Sequence, residues 1–409
     1  MKLAVEMGEG FRMALAALWA NKLRAALTTL GIVIGIVTVT LMGTAMEGLN
    51  RSFLHSVSRI GADVLFVERM DWFIGTREEW LRMQKRRPVE LAEARALERE
   101  ASFALAVAPV ARSTQPVGYQ NRSAGSVFLL GTTDAYQSTA GVRVAAGRFL
   151  SSADVTGGRP VCVIGTEVAT NLFRYESPLG RRIRIGGQIF EVVGVLERQG
   201  RFLGAFSMDN QIIIPLQAFL EAFHSRPDLQ IQVKVGNVAT LEDAREELRQ
   251  LMRRVRRLAP GEPDDFSINQ QQQFIRIFQQ VGGTIAAVGL FITGLSLFVG
   301  GIGIMNIMFV SVAERTREIG IRKAVGAKCR AILVQFLLEA VAICVMGGAL
   351  SLAIAWPATW LLQRLLPAQM SLRVVGLAMA VALVTGLMSG LAPAWRAARL
   401  DPVEALRAE

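Results

Sequence analysis

The chain has 409 residues, 52% hydrophobic and only 19% charged, which is too apolar for an ordinary soluble protein of this size. A net charge of +11 invites a nucleic-acid reading. Basic residues in a membrane protein instead gather at cytoplasmic span ends, and with only three tyrosines and no RNA-binding signature, no nucleic-acid partner is expected.

Residues 1–24 open the chain, and "EGFRMALAALWANKLR" (9–24) reads as an amphipathic helix at the cytoplasmic interface. A bilayer core of about 30 Å needs roughly 20 apolar residues in a helix, and four stretches qualify. Ala25–Met46 carries no charge over 22 residues, and Ile277–Ala313 none over 37. Ala331–Gln363 has only Glu339, and Val374–Trp395 adds 22 more uncharged residues. The first run is too long for a signal peptide and follows 24 residues, so it reads as a retained span.

The expected organisation is a first span at 25–48, an extracytoplasmic domain at 49–275, and a stalk and second span at 276–313. A cytoplasmic segment at 314–330 follows, then a third span at 331–363, an external loop at 364–373, a fourth span at 374–395 and a cytoplasmic tail at 396–409. Orientation comes from Lys and Arg. They cluster before the first span, in 314–330 and in the tail, which puts both termini in the cytoplasm of a cell inner-membrane protein. At 1.5 Å per residue the second apolar run reaches about 55 Å. It is expected to leave the lipid as a stalk, and Leu49, Phe53, Val57 and Ile60 suggest a second stalk after the first span.

The external domain reads as α+β. Strands are expected at 62–69, 103–110, 229–235 and 265–270, with helices at 88–100 and 238–258. This is βαβ, insertion, βαβ, a ferredoxin-like order. The insertion, about 111–225, is β-rich, with a hairpin at 181–197 that turns on Gly186-Gly187. The loop 198–210 is polar and aromatic and reads either as a partner contact or as a solvated loop.

No phosphate loop, GxSxG, HExxH or usable GxGxxG occurs, so no catalytic residue, bound cofactor or enzyme activity is expected on this chain. Cys162, Cys329 and Cys344 are widely spaced and only His55 and His224 accompany them, so neither a metal site nor a disulfide framework is expected. The near absence of intramembrane charge speaks against an ion-driven transporter. Glu339 is expected to snorkel or to pair with a neighbouring Lys or Arg. "GIVIG" (Gly31, Gly35), "GLMSG" (Gly386, Gly390) and the patch Gly300, Gly301, Gly303 offer close helix packing, and make a dimer plausible.

The stretch "LFVGGIGIMNIMFVSVAERTREIGIRKAVGAKCRAILVQFLLEA" (297–340) resembles the core of MacB-type ABC transporter permeases, within the FtsX-like group. So do "ALWANKLRAALTTLGIVIGI" (17–36), "RIGADVLFV" (59–67), the 161–197 region and "DPVEALRAE" (401–409). The resemblance implies a four-span homodimeric permease with a porter-like external part, working by mechanotransmission in efflux. It implies a separate ABC ATPase subunit in two copies, holding ATP and Mg, and adds a periplasmic adaptor and an outer-membrane channel as expected partners. FtsX-like regulation of cell-wall hydrolases and lipoprotein release are the alternatives.

Contact with the ATPase is expected at Glu314, Arg315, Arg317, Glu318, Ile319, Gly320, Ile321, Arg322, Lys323 and Gly326. Glu318 and Arg322 stand at i,i+4 and can pair. Ile319, Ile321 and Val325 form no clean stripe, so an interruption is expected near Gly320.

Overall fold

The computed structural model describes residues 22–57, 61–174, 176–202, 206–363 and 370–407. The interface helix expected at 9–24 lies almost wholly outside them. Helix α1 (Lys22–Val57) is followed by β1 (Val64–Glu68), α2 (Arg77–Gln84), α3 (Leu91–Glu100), β2 (Ala104–Tyr119) and β3 (Arg122–Thr132). Next come α4 (Tyr136–Thr139), β4 (Val144–Gly147), α5 (Ser152–Thr156), β5 (Val161–Ile164), α6 (Thr166–Phe173), β6 (Arg182–Ile185) and β7 (Gln188–Leu196). A small hairpin, β8 (Arg201–Phe202) and β9 (Phe206–Ser207), leads to β10 (Gln211–Pro215), α7 (Leu216–Ala222), β11 (Gln230–Val235), α8 (Leu241–Arg256) and β12 (Ser267–Gln270). Five helices close the chain: α9 (Gln271–Glu314), α10 (Thr316–Ala324), α11 (Cys329–Leu362), α12 (Leu372–Arg399) and α13 (Pro402–Arg407). Two compact units result, Phe53–Phe278 and the combination of Met1–Ser52 with Gln279–Glu409.

The unit 53–278 is built on one sheet, in the order β12-β1-β11-β2-β3-β10-β5-β7-β4, with β6 bridging β2 and β7. In the first four strands every neighbouring pair is antiparallel. Period-2 alternation sends Leu65, Val67, Ile231, Val233 and Val235 to one face, where α3 and α8 cover them through Leu97, Leu248 and Met252. Helix α8 is locked at its end by Arg256, whose side chain is 1% exposed and pairs with Glu93 at 2.8 Å and Asp265 at 3.0 Å.

The sequence reading ended a strand at 110 and began the insertion at 111. Strand β2 instead runs unbroken through that point: its residues to Val110 pair with β11, and from Ala111 it pairs with β3. One strand therefore serves two sheet regions, and the insertion begins inside it. The expected hairpin is present, with Gly186 at φ 52° and Gly187 at φ 96°, the left-handed pair that a tight two-residue turn requires. The loop after it is tied by Asp209, whose carboxylate accepts from the Gln199 and Gly200 backbone N–H at 2.6 and 2.9 Å. The short helix α2, which the sequence reading missed, carries a complete capping box between Thr76 and Glu79.

In the other unit, four helices among the described residues are long and apolar enough to cross a membrane. Their shared core is Ile32, Ile36, Ile304, Met308, Phe336, Ile343, Ala378 and Ala382 among others. Phe291, Trp356 and Met388 are more than 70% exposed, pointing away from the bundle as lipid-facing side chains do.

Candidate functional site

The charged segment between the second and third spans begins where α9 ends. Arg315 leaves helical geometry at φ −107°, ψ 15°, and Ile319 N–H then donates to Arg315 C=O at 3.0 Å to start α10. The interruption expected near Gly320 is therefore at Arg315, while Gly320 is buried inside α10. The same residue carries a buried contact. Arg315 Nη1 lies 3.1 and 3.4 Å from the two carboxylate oxygens of Glu339 on α11, and the Glu339 side chain is 1% exposed. A carboxylate so buried needs a charged partner. Thr316 Oγ1 donates to the Val312 and Ala313 carbonyls, satisfying acceptors freed at the break.

The far end of α10 is closed by Gly326 at φ 99°. Gly326 N–H donates to Lys323 C=O and Ala327 N–H to Arg322 C=O, the paired bonds of a Schellman cap. Gly326 is thus a helix stop. Lys323 turns inward, and its Nζ donates to Leu400 C=O at 2.7 Å. This joins α10 to the tail, where Asp401 accepts from Val403 N–H at 2.8 Å and Pro402 occupies the first turn of α13. The sequence reading assigned no site residue to the tail, although Asp-Pro is itself a helix-start signal.

The ten candidate residues therefore separate into two groups. Arg315, Ile319, Gly320 and Lys323 face the bundle, while Glu314, Arg317, Glu318, Ile321, Arg322 and Gly326 are exposed. Glu318 and Arg322 pair at 2.5 Å, and Arg322 also donates to Gln335 at 2.8 Å. Arg317, Ile321 and Val325 recur at i, i+4 and i+8 on one face. Ile321 is 49% and Val325 85% exposed, so the segment shows solvent an apolar ridge rimmed by charge.

The small residues make close helix contacts of the kind the sequence suggested. A Cβ on Gly31 would stand 3.1 Å from Gly300 Cα, one on Gly35 3.1 Å from Leu297, and one on Gly386 2.9 Å from Val341 Cα. Gly301 abuts Ser389, Gly390 abuts Ala340, and Gly303 is half-buried on α9. The two GxxxG pairs and Gly300-Gly301 thus pack helices within one chain.

Residues 25–251 match the MacB-like periplasmic core domain family, and residues 290–402 match the FtsX-like permease C-terminal family. The chain belongs to the MacB/FtsX-like family of ABC transporter permeases. It is 30% identical, over 97% of its length, to the macrolide export ATP-binding/permease protein MacB of Syntrophobacter fumaroxidans. It is 34% identical, over 99% of its length, to the pyoverdine export ATP-binding/permease protein PvdT of Pseudomonas syringae pv. tomato. It spans 63% and 60% of those two relatives. The periplasmic region of MacB from Actinobacillus actinomycetemcomitans superposes on 55% of the chain, and on 95% of its own, with TM-score 0.46 and 20% identity. One match describes a periplasmic core domain and the other a permease C-terminal domain, so the chain is an inner-membrane permease with four apolar helices and a MacB-like periplasmic domain.

Proposed function

We propose that this MacB/FtsX-like permease works by mechanotransmission in export. An ABC ATPase docks on the exposed ridge of α10, nucleotide turnover moves that helix, and α9 passes the motion to the extracytoplasmic domain, where cargo is handled. The observation that carries the reading is the two-sidedness of α10. Its inner side is clamped to α11 and the tail through Arg315–Glu339 and Lys323–Leu400, while Ile321 and Val325 stand outward. A partner pulling on the ridge would move a helix joined firmly to the bundle.

Further support comes from α9, 44 residues in one helix, about 66 Å at 1.5 Å per residue, and from the rarity of ionisable groups in the spans. In this reading ATP and Mg belong to two copies of an ABC ATPase subunit, ATP turnover is not assigned to this chain, and both termini are cytoplasmic. The permease is a homodimer. A periplasmic adaptor and an outer-membrane channel would complete the route. The strand order β12-β1-β11-β2 under α3 and α8 supports a ferredoxin-like, porter-type part. Relatives named for macrolide and pyoverdine export support the direction without fixing the cargo.

The test is the double substitution Ile321→Glu, Val325→Glu, co-expressed with the ATPase and reconstituted in vesicles. Loss of permease-dependent ATPase stimulation, with normal membrane insertion and an unaltered unfolding midpoint, is expected. Full stimulation in the double variant would remove α10 as the docking element.

A further inference from the structure

The face of the first four strands opposite α3 and α8 is chemically unusual. Alternation in "QIQVKV" (230–235) turns Gln230, Gln232 and Lys234 to this side, and Phe66 and Glu68 of β1 join them. This face floors a cavity of about 720 Å³, walled by segments around 136–143 and 197–201 and by Met208, a size typical of small-molecule sites.

The floor is a fixed polar chain. Thr139 Oγ1 donates to Gln232 Oε1 at 3.0 Å, and Gln232 Nε2 donates to Gln230 Oε1 at 3.1 Å. Gln230 Nε2 donates to Glu68, and Arg112 donates to Gln230 Oε1. Thr139, Gln230 and Gln232 are 2%, 6% and 5% exposed. Glu68 also accepts from Trp72 Nε1 at 2.7 Å and from Asn269 at 3.0 Å. These side chains hold one another's orientation, so the floor is preorganised.

Two further features define what the cavity would take. The first is an aromatic wall: Phe66 and Trp72 rings are 5.0 Å apart, and Trp72 and Phe274 rings 4.7 Å. The second is charge. The bases Arg112, Arg143, Arg198, Arg201 and Lys234 line the cavity with two acids, Asp63 and Glu197, and the Glu68 carboxylate lies in the floor within electrostatic reach of Arg112. Asp63 is already paired with Lys234 at 3.5 Å, and Arg198 approaches Asp209 at 4.0 Å. Arg143 and Arg201 make no ion pair with the described residues.

We propose that this cavity binds an amphipathic anion, its acidic group against Arg143, Arg201 and Arg112 and its apolar body on the Phe66–Trp72–Phe274 wall. A guanidinium cluster recognises carboxylate or phosphate, and the rings supply apolar area with fixed geometry. The proposal goes beyond the coupling mechanism and does not depend on it. A soluble acidic cargo and an acidic lipid share this chemistry.

The test uses the full chain in phosphatidylcholine nanodiscs, photolabelled with a diazirine-bearing fatty acid, and the labelled peptides are mapped by mass spectrometry. Labelling within 61–74 and 136–143 is expected, competed by laurate and not by dodecanol. Competition by added laurate identifies a soluble anion as the source, whereas competition only by phosphatidylglycerol built into the disc identifies lipid. Arg143→Glu with Arg201→Glu, both at exposed positions, should cut labelling of these peptides by roughly tenfold and leave labelling of the spans unchanged. Equal competition by dodecanol, label confined to the spans, or indifference to the two substitutions would overturn the proposal. The Ile321→Glu, Val325→Glu variant should label normally, which separates failure of this inference from failure of the coupling mechanism.

Discussion

Replacing Arg315 by methionine keeps the aliphatic stem and removes the charge that meets Glu339. The Glu339 side chain is 1% exposed and Arg315 is 24% exposed, so the carboxylate would be left buried without its partner. Breaking a buried ion pair from one side costs about 3–5 kcal/mol. Because Arg315 keeps a quarter of its surface in solvent, the lower end applies, about 3 kcal/mol or roughly 150-fold in the unfolding equilibrium. Removing both charges, Arg315→Met with Glu339→Leu, leaves no unpaired buried carboxylate and should return to within about 1 kcal/mol of the parent. The assay is SDS titration of purified permease in mixed micelles, followed by fluorescence of Trp356, Trp360 and Trp395. If Arg315→Met alone shifts stability by less than about 0.5 kcal/mol, the pair is not the clamp that joins α10 to α11. If the double variant is as unstable as the sum of the singles, the stranded-charge argument fails.

Gly386→Val would drive a Cβ to 2.9 Å from the Val341 backbone. It should destabilise the bundle by about 1–3 kcal/mol in the same titration, and an unmoved midpoint would deny the α11–α12 contact. In the periplasmic domain, Arg148 at 2.5 Å and Ser151 hold the buried Asp154 carboxyl well below the usual carboxylate range. Since the folded pKa is depressed, its stabilisation is complete above the unfolded value of about 3.9 and is lost as pH falls towards the folded one. Thermal unfolding should therefore show a constant gap between parent and Asp154→Asn from pH 8 to 5 that narrows below about pH 4, and a gap widening with acid would refute the assignment. Cys329 is exposed, whereas Cys344 is buried and burial pushes the thiol of Cys162 up. A membrane-impermeant maleimide should label only Cys329, and only from the cytoplasmic side; labelling in right-side-out vesicles would reverse the proposed topology.

Much of this architecture is written locally. Four apolar runs are long enough for a bilayer whatever surrounds them. The Gly186-Gly187 turn needs two left-handed residues in sequence, and glycine supplies them. The Glu318–Arg322 pair follows from helical spacing alone, as does the two-faced pattern of 230–235 from the period of a strand. What escaped the sequence was each choice made between distant segments. Strand β2 is a continuous buried run across Val110 and Ala111, so nothing local marks the residue at which it changes partners from β11 to β3. The helix breaks at Arg315, the residue that pairs with a carboxylate 24 positions later. Lys323 finds a carbonyl 77 positions away. The glycine motifs announce close approach without naming a partner, and the tertiary structure assigns Gly31, Gly35, Gly386 and Gly390 to helices of the same chain. The cavity on the β1–β11 face gathers side chains from residue 61 to residue 274. Backbone sterics and periodicity act over a few residues and are legible in order. Which buried charge, groove or sheet edge meets which is settled only when loop closure brings remote surfaces together and each buried polar group must find a partner.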